Sequence, residues 1–364
     1  MPPDINRDSL VEQSNAANRP PPPKAFFQSI DQDLAPWNMT GISYGQVENA
    51  YCGSGCGAFR MQIIKGQIYI VGEQEGLQSR GRSVKLMLLQ LQQKYGSQLP
   101  DVDVGAISTG DLPGAAVAPK GCPDAGPVFS FAKRPQDTKA ARAIPWDFVR
   151  QAITKAALAI PWHKRTSQLF HRAATIGKTR KALRDGSRDV SQHPLWNVKM
   201  IDWASDRSTF VSFLDHCRFR YLLHTPGHTY SGRLKYLPFC GSAIVMPDSP
   251  WEEFWYGMLE HGKNVYRTPA VNSKQDTIVA VQAAEELERD DALAQQIAHG
   301  AQELAQNVLT TQNIQLFMLA LLRRYAELMD FRVALHQDAV TIEESLLGQS
   351  YRLPKDRTCP YCHM

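Results

Sequence analysis

The sequence predicts an α/β protein of two domains, each with a parallel sheet, facing each other across a cleft. Two observations support this fold class. The chain has 364 residues with 43% hydrophobic content, enough to bury two ordinary cores. Apolar strand-like segments alternate with helical ones from residue 102 onward, the pattern of strands joined by crossover helices.

Short apolar segments predict strands at residues 60–71, as a pair around Lys65-Gly66, and at 102–109, 128–131, 168–171, 218–224 and 243–246. Helical spacing of apolar residues predicts helices at 84–95, 146–158 and 230–239. Near the end, one helix carries a continuous apolar face that must dock on something: Ile314, Phe317, Met318, Leu321, Leu322, Tyr325, Leu328 and Met329.

These segments suggest a division of the chain. Residues 1–24 are polar and end in a proline run, which is typical of a disordered arm. Pro161 ends one helix before polar residues lead into the next strand, so the domain junction is placed there. We therefore expect an N-terminal domain at 25–160, a C-terminal domain at 161–312, and a helix with a tail at 313–364.

Composition limits the partners. The net charge of +4 is too small to argue for nucleic acid or an anionic membrane. No window approaches the ~18 apolar residues of a membrane span, and the N-terminal arm lacks the apolar core of a signal peptide, so a secretory address is expected to be missing from this sequence. Seven cysteines neither demand nor exclude disulfides; Cys52 and Cys56 could pair or lie in a turn, and no redox or zinc role is expected for Cys359 and Cys362.

A first basic segment has the features that a phosphate group requires, namely arginines and a helix N-terminus at the end of a strand. The strand at 168–171 continues through Arg172, Thr175 and Gly177 into a helix that carries Arg180. Residues 163–188 hold eight Lys or Arg and one acid. A solvated helix face is the alternative interpretation.

A second segment repeats this arrangement. Gly227 and Ser231 follow the strand at 218–224, and Arg233 and Lys235 come shortly after them. A glycine before a helix is often only a turn. Because both segments follow predicted strands, however, they occupy the place where open α/β sheets bind ligands.

Asp111 is placed for acid–base chemistry at the end of the strand at 102–109. It could be a general base or could merely cap the turn. Asp101 and Asp103 resemble a metal-binding DxD motif, but Val102 begins a buried strand, so no metal is expected there. His216 and His224 are expected to be satisfied core or strand residues rather than metal ligands.

Residues 215–242, DHCRFRYLLHTPGHTYSGRLKYLPFCGS, resemble the signature of glycosyltransferase family 90, and the likeness extends over most of the chain. That family includes Rumi-type protein O-glucosyltransferases, fungal capsule xylosyltransferases and lipopolysaccharide-modifying proteins. The resemblance implies a GT-B fold of two Rossmann-like domains and an inverting, metal-independent transfer from a UDP-sugar. The implied reaction needs no cofactor, because the UDP-sugar is the donor substrate.

The resemblance also implies site residues. The family's catalytic base in an Asp-x-Pro turn matches Asp111. Its diphosphate-binding positions match Arg172, Arg180, Gly227, Ser231, Arg233 and Lys235, and Thr175 is added from the first basic segment. Ala173 stands where the family usually has glycine.

The resemblance leaves the donor open between UDP-glucose and UDP-xylose, and the acceptor between protein and glycan. Ala140, Ala141 and Arg142 stand where many members carry an acidic residue, which leaves acceptor identity open. Family members work in the endoplasmic reticulum or Golgi lumen, although a cytoplasmic location stays open, and a monomer is expected. Two alternatives from other classes are a catalytically silent sugar-nucleotide or glycan-binding protein and a polyanion-binding module.

Overall fold

The computed structural model describes residues 22–52, 58–73, 78–110, 124–143, 150–202 and 208–348. The strands are β1 Ala58–Ile64, β2 Gln67–Glu73, β3 Val102–Ser108, β4 Val128–Ser130, β5 Ala140–Arg142, β6 Thr166–Ala174, β7 Trp196–Ile201, β8 Phe219–Leu223, β9 Ala243–Pro247, β10 Tyr266–Thr268 and β11 Ala339–Thr341. The helices are α1 Gln28–Leu34, α2 Tyr44–Cys52, α3 Gln78–Tyr95, α4 Arg150–Leu158, α5 Gly177–Gly186, α6 Phe213–His216, α7 Thr277–Arg289, α8 Asp291–Asn307, α9 Thr311–Leu328 and α10 Ile342–Leu346.

The first sheet has the order β11-β2-β1-β3-β4-β5. Its β3, β4 and β5 are parallel, whereas β11, β2, β1 and β3 pair antiparallel with their neighbours. Parallel pairing was expected for the strands from residue 102 onward, and β3 with β4 confirms it, whereas the two strands around Lys65-Gly66 pair antiparallel. The reason is local: Lys65 and Gly66 both take positive φ, at 49° and 81°, and this tight turn makes β1 and β2 a hairpin.

The second sheet is parallel throughout, with the order β10-β9-β8-β6-β7. Numbered from β6, this is the doubly wound order 2-1-3-4-5 read from the other edge. The strand order reverses between β6 and β8. In open α/β sheets that switch point, at the carboxyl ends of the strands, is where ligands bind.

The long helix α9 packs against the first sheet. The Tyr325 hydroxyl donates to the carbonyl oxygen of Asp103 on β3 at 2.9 Å, and its ring meets Phe129 edge-on at 5.6 Å. The predicted apolar face of this helix is thus confirmed, and the first sheet is the surface on which it docks. After α9, β11 pairs with β2 at the edge of that sheet.

The two sheets are joined by contacts beyond their connecting chain. Lys133, after β4, and Glu252, after β9, form an antiparallel backbone bridge with N···O distances of 3.0 and 2.9 Å. Arg142 at the end of β5 donates to Glu252 at 3.0 Å and to buried Asp33 at 3.0 Å. Arg142, which stands at a departure from the family pattern, therefore lies at the contact between the two halves.

One predicted helix is wrong. Residues 230–239 form successive turns and a short 3₁₀-helix, Leu237–Cys240, instead of an α-helix. The sequence Tyr230-Ser231-Gly232 and the Pro238 that lies within the segment disfavour continuous helical hydrogen bonding. Within the described part of the chain, none of the helices combines the length and apolar character needed to cross a bilayer.

Candidate donor-binding site

The two basic segments meet at the switch point. Gly177 begins α5 with φ 76°, and a Cβ atom at this position would lie 1.9 Å from the carbonyl oxygen of Gly227. Only glycine permits this approach at this φ. The connection after β6 and the connection after β8 therefore touch through their backbones, as the sequence pattern predicted for the carboxyl edge of the sheet.

Arg180 on α5 is buried in the second segment. Its guanidinium donates to Thr225 Oγ1 at 3.1 Å, to Ser231 Oγ at 3.1 Å and to the Thr225 carbonyl at 3.3 Å. These contacts tie the helix after β6 to the turn after β8. Ser231, predicted as a phosphate ligand, thus positions an arginine in this structure.

Arg233 reaches the same site from the second basic segment, the turns that follow β8, which we call the turn segment. It donates to the carbonyl oxygen of Arg172, and its Nη2 lies 3.4 Å from both ring nitrogens of His171. Its Nε is buried and has no partner among the described residues. Burial, and then the charge of Arg180, lower the pKa of Arg233 to about 9.

His171 is held neutral in this network. Its Nδ1 donates to the Leu223 carbonyl oxygen at 2.8 Å, so Nε2 is the acceptor, and Thr225 Oγ1 lies 3.2 Å from it. Thr225 in turn accepts from Arg180. Burial, followed by the charges of Arg233 and Arg180, lowers the pKa of His171.

Arg172 is oriented differently. Its guanidinium folds back over Phe170 at 4.3 Å and donates to the Asn197 carbonyl and side-chain oxygens, both at 2.6 Å. Burial lowers its pKa to about 10. The structure therefore brings Arg180 and Arg233 together at the switch point and places the Arg172 side chain along the face of the sheet.

Two other predicted donor-site residues, Thr175 and Lys235, differ in burial and in their neighbours. Thr175 lies partly exposed in the connection between β6 and α5. Lys235 is buried, with Nζ 5.2 Å from the centre of the Tyr236 ring, and its charge acts on the carboxyl group of Glu253. Burial raises the pKa of Glu253 to about 7, although Lys235 opposes this shift. Lys235 thus lies beside a buried acid.

The prediction for His216 and His224 is correct only in part. His216 and His224 are buried, as expected, but they are not satisfied. The Nε2 of His216 and the Nδ1 of His224 have no partner among the described residues. Nδ1 of His216 donates to the Ser212 carbonyl oxygen at 2.8 Å, but the expectation that both rings are satisfied is wrong, because each has a nitrogen buried from water that no group of the described residues pairs with.

A disulfide encloses the second segment. Cys217, just after α6, is bonded to Cys240 at the end of the 3₁₀-helix, with 4.7 Å between their Cα atoms. Residue spacing does not distinguish this pair among the seven cysteines. Cys52–Cys56 pairing and the Cys359–Cys362 motif concern side chains outside the described residues.

Residues that follow strands of the first sheet also lie near this site. Ile107 on β3 is opposite Phe129 on β4, so the residues after both strands emerge at one edge. Phe131, just after β4, lies 6.1 Å from the ring of Tyr230 in the turn segment. Asp111, the predicted base, follows β3 but lies outside the described residues.

The carboxylates of Asp101 and Asp103 form hydrogen bonds within the first sheet and its hairpin. Asp103 is buried and accepts from Arg60 Nε at 2.8 Å and Nη2 at 2.6 Å, and from Gln62 at 2.7 Å. Asp101 accepts from the backbone N–H of Lys65 at 2.6 Å. Their side chains therefore serve the hairpin and the core of the first sheet, and groups of three potential metal ligands are absent from the described residues.

His171 and Thr225 were not identified from the sequence. Each lies at the carboxyl end of a strand adjoining the switch point, and each organises an arginine there. His171 is the last residue of the strand predicted at 168–171 and Thr225 directly follows the strand predicted at 218–224, and this position at a strand exit was the signal that could have pointed to them.

Comparisons with known proteins identify the family. The family Glycosyl transferase family 90 matches residues 20–359. O-glucosyltransferase rumi of Drosophila pseudoobscura pseudoobscura is 28% identical over 86% of this chain and 80% of its own length, and the Drosophila melanogaster protein is 27% identical over 84% and 77%. Protein O-glucosyltransferase 1 of Bos taurus is 26% identical over 84% and 80%. A sucrose-phosphate synthase structure from Thermosynechococcus elongatus aligns over 48% of each chain with a TM-score of 0.32 and 15% identity. The family match covers most of the chain, so this protein belongs to glycosyltransferase family 90 and is a glycosyltransferase.

Proposed function

We propose that the protein transfers glucose from UDP-glucose to a hydroxyl group of a protein acceptor, by direct displacement with inversion at the anomeric carbon. The names of the relatives, which are O-glucosyltransferases, favour glucose over xylose and protein over glycan. The observation that carries the proposal is the pair Arg180 and Arg233 at the switch point of the parallel sheet.

The pair is suited to a diphosphate. The contacts of Arg233 are to a carbonyl oxygen and a neutral imidazole, so carboxylates of the described residues do not neutralise it. Burial of such a charge is unfavourable unless an anion accompanies it. A donor diphosphate would supply that anion and accept charge-assisted hydrogen bonds from both guanidinium groups.

The same contacts would assist departure of the leaving group. Negative charge grows on the diphosphate as the bond to the sugar breaks, and preorganised donors stabilise it. The two guanidinium groups would fill the role that a metal ion plays in other glycosyltransferases. We therefore propose a reaction that needs no metal.

Asp111 is the proposed general base, which would deprotonate the acceptor hydroxyl. Its support is positional: β3 ends beside β4, and Phe131 after β4 contacts Tyr230 of the donor-binding turn. A residue just after β3 would thus emerge on the side of the first sheet that approaches the donor.

The test compares binding with turnover in two variants. Asp111→Asn should retain UDP-glucose affinity while UDP release with a protein acceptor falls roughly 10²- to 10⁴-fold, because an amide does not take the proton. Arg233→Ala should instead lose UDP-glucose affinity. Near-normal turnover of Asp111→Asn would contradict the mechanism, and unchanged affinity of Arg233→Ala would contradict the donor site.

A catalytically silent sugar-nucleotide-binding protein is the second candidate, and it shares the arginine pair. It predicts UDP-glucose binding without UDP release against any protein or glycan acceptor.

The disulfide Cys217–Cys240 supports a proposed location in an oxidising compartment, such as the lumen of the endoplasmic reticulum or Golgi.

A further inference from the structure

His224 lies directly after β8, in the chain that leads into the donor-binding turn. Its backbone N–H donates to the Val245 carbonyl at 2.8 Å, so the residue is held at the carboxyl edge of the sheet. Its side chain is only 3% exposed. A histidine buried to this degree normally has hydrogen-bond partners for its ring.

One nitrogen of the His224 ring lacks such a partner. Its Nδ1 is buried and unpaired among the described residues. The charged groups that act on the ring are Arg233, from the turn segment, and Arg180, from α5. The adjacent residue, Thr225, accepts from Arg180 at 3.1 Å through its hydroxyl and at 3.3 Å through its carbonyl oxygen, so His224 lies in the chain segment that contacts the proposed diphosphate site.

Burial and the local positive charge both favour the neutral form of this ring. Burial, and then the charges of Arg233 and Arg180, lower the pKa of His224. A diphosphate between these arginines would reverse the sign of the local potential, and nearby negative charge favours the imidazolium. A protonated ring would also gain a second N–H, which could donate to a phosphate oxygen.

We propose that His224 is a donor-binding residue that takes up a proton when UDP-glucose binds. This inference rests on the proposed donor site and extends it. The proton comes from solvent and joins a ring nitrogen of His224. The resulting imidazolium donates to the diphosphate together with Arg180 and Arg233.

The sign of the pH dependence follows from this linkage. Binding that takes up a proton strengthens as pH falls, from the pKa of His224 in the complex down to its lower pKa in the free protein. UDP-glucose is the suitable probe because its diphosphate diester does not titrate near neutrality, whereas the terminal phosphate of UDP does. Affinity should rise by up to about tenfold per pH unit within that window.

Isothermal titration calorimetry of the full chain with UDP-glucose, at about pH 6 in buffers of different ionisation enthalpy, measures proton uptake directly. The parent should take up a substantial part of one proton. His224→Asn and His224→Gln should bind UDP-glucose without uptake and with little pH dependence. Two variants are used because one of them could fail to fold.

His299→Asn is the matched control. His299 is exposed on α8 and pairs with Glu303 at 3.3 Å, so its loss should leave proton uptake at the parent value. Binding of UDP-glucose by the parent with no buffer dependence would overturn the role of His224 while leaving the donor site intact. Uptake that persists in the His224 variants would also overturn it. Absence of UDP-glucose binding by the parent would reject both this inference and the proposed function.

Discussion

Loss of the Cys217–Cys240 disulfide should weaken the donor-binding half. The bond joins residues 23 positions apart, and the enclosed chain contains β8 and the turn that carries Gly227, Ser231 and Arg233. Both cysteines are buried. Replacing both with alanine therefore removes the cross-link without burying a new polar group.

The expected magnitude follows from the loop length. In the chain-entropy description, a closed loop of this size restricts the unfolded chain by about 3 kcal/mol at 25 °C. The free energy of unfolding of the Cys217→Ala/Cys240→Ala variant should fall by about that amount. For a domain of 150–250 residues this corresponds to roughly 6–12 °C in melting temperature.

Calorimetric melting of the parent and the double variant, with and without UDP-glucose, measures the effect. Donor affinity should fall as well, because the freed turn carries Arg233. Adding reductant to the parent should reproduce the drop in stability. Equal melting temperatures and equal UDP-glucose affinity in parent and double variant would refute the reasoning.

Three further changes test other parts of the structure. Gly177→Ala should lower the free energy of unfolding by about 1–3 kcal/mol and weaken UDP-glucose binding, because its Cβ would meet the Gly227 carbonyl at a φ of 76° and displace the turn; Gly257→Ala, with no atom within 4 Å of its Cβ, should bind as the parent does. Asp103→Asn should lower the free energy of unfolding by about 1.5–3 kcal/mol in chemical denaturation, because Arg60 loses its buried carboxylate and keeps only Glu48 as an ionic partner, whereas Asp101→Asn at the exposed turn should cost about 1 kcal/mol or less. EDTA should leave the initial rate of UDP release nearly unchanged, and a complete loss restored by Mn²⁺ would contradict the metal-free mechanism.

The elements with strong periodicity were predictable because their pattern is local. The hairpin around Lys65-Gly66, the strands leading to Arg172 and His224, and the apolar face of α9 are all where the sequence places them. The α-helix predicted at 230–239 does not form. The apolar residues of this segment pack against the rest of the chain from successive turns.

Residue order and short-range spacing were sufficient to predict the family, the α/β class and the two basic strand exits. Three features required the folded chain: Gly177 meets Gly227, Arg180 and Arg233 converge while the Arg172 side chain folds back over Phe170, and Nδ1 of His224 is left without a hydrogen bond. The reason is physical. Which side chains share a site depends on the order in which β6 and β8 pair across the sheet, and that order is set by packing between residues far apart in the chain.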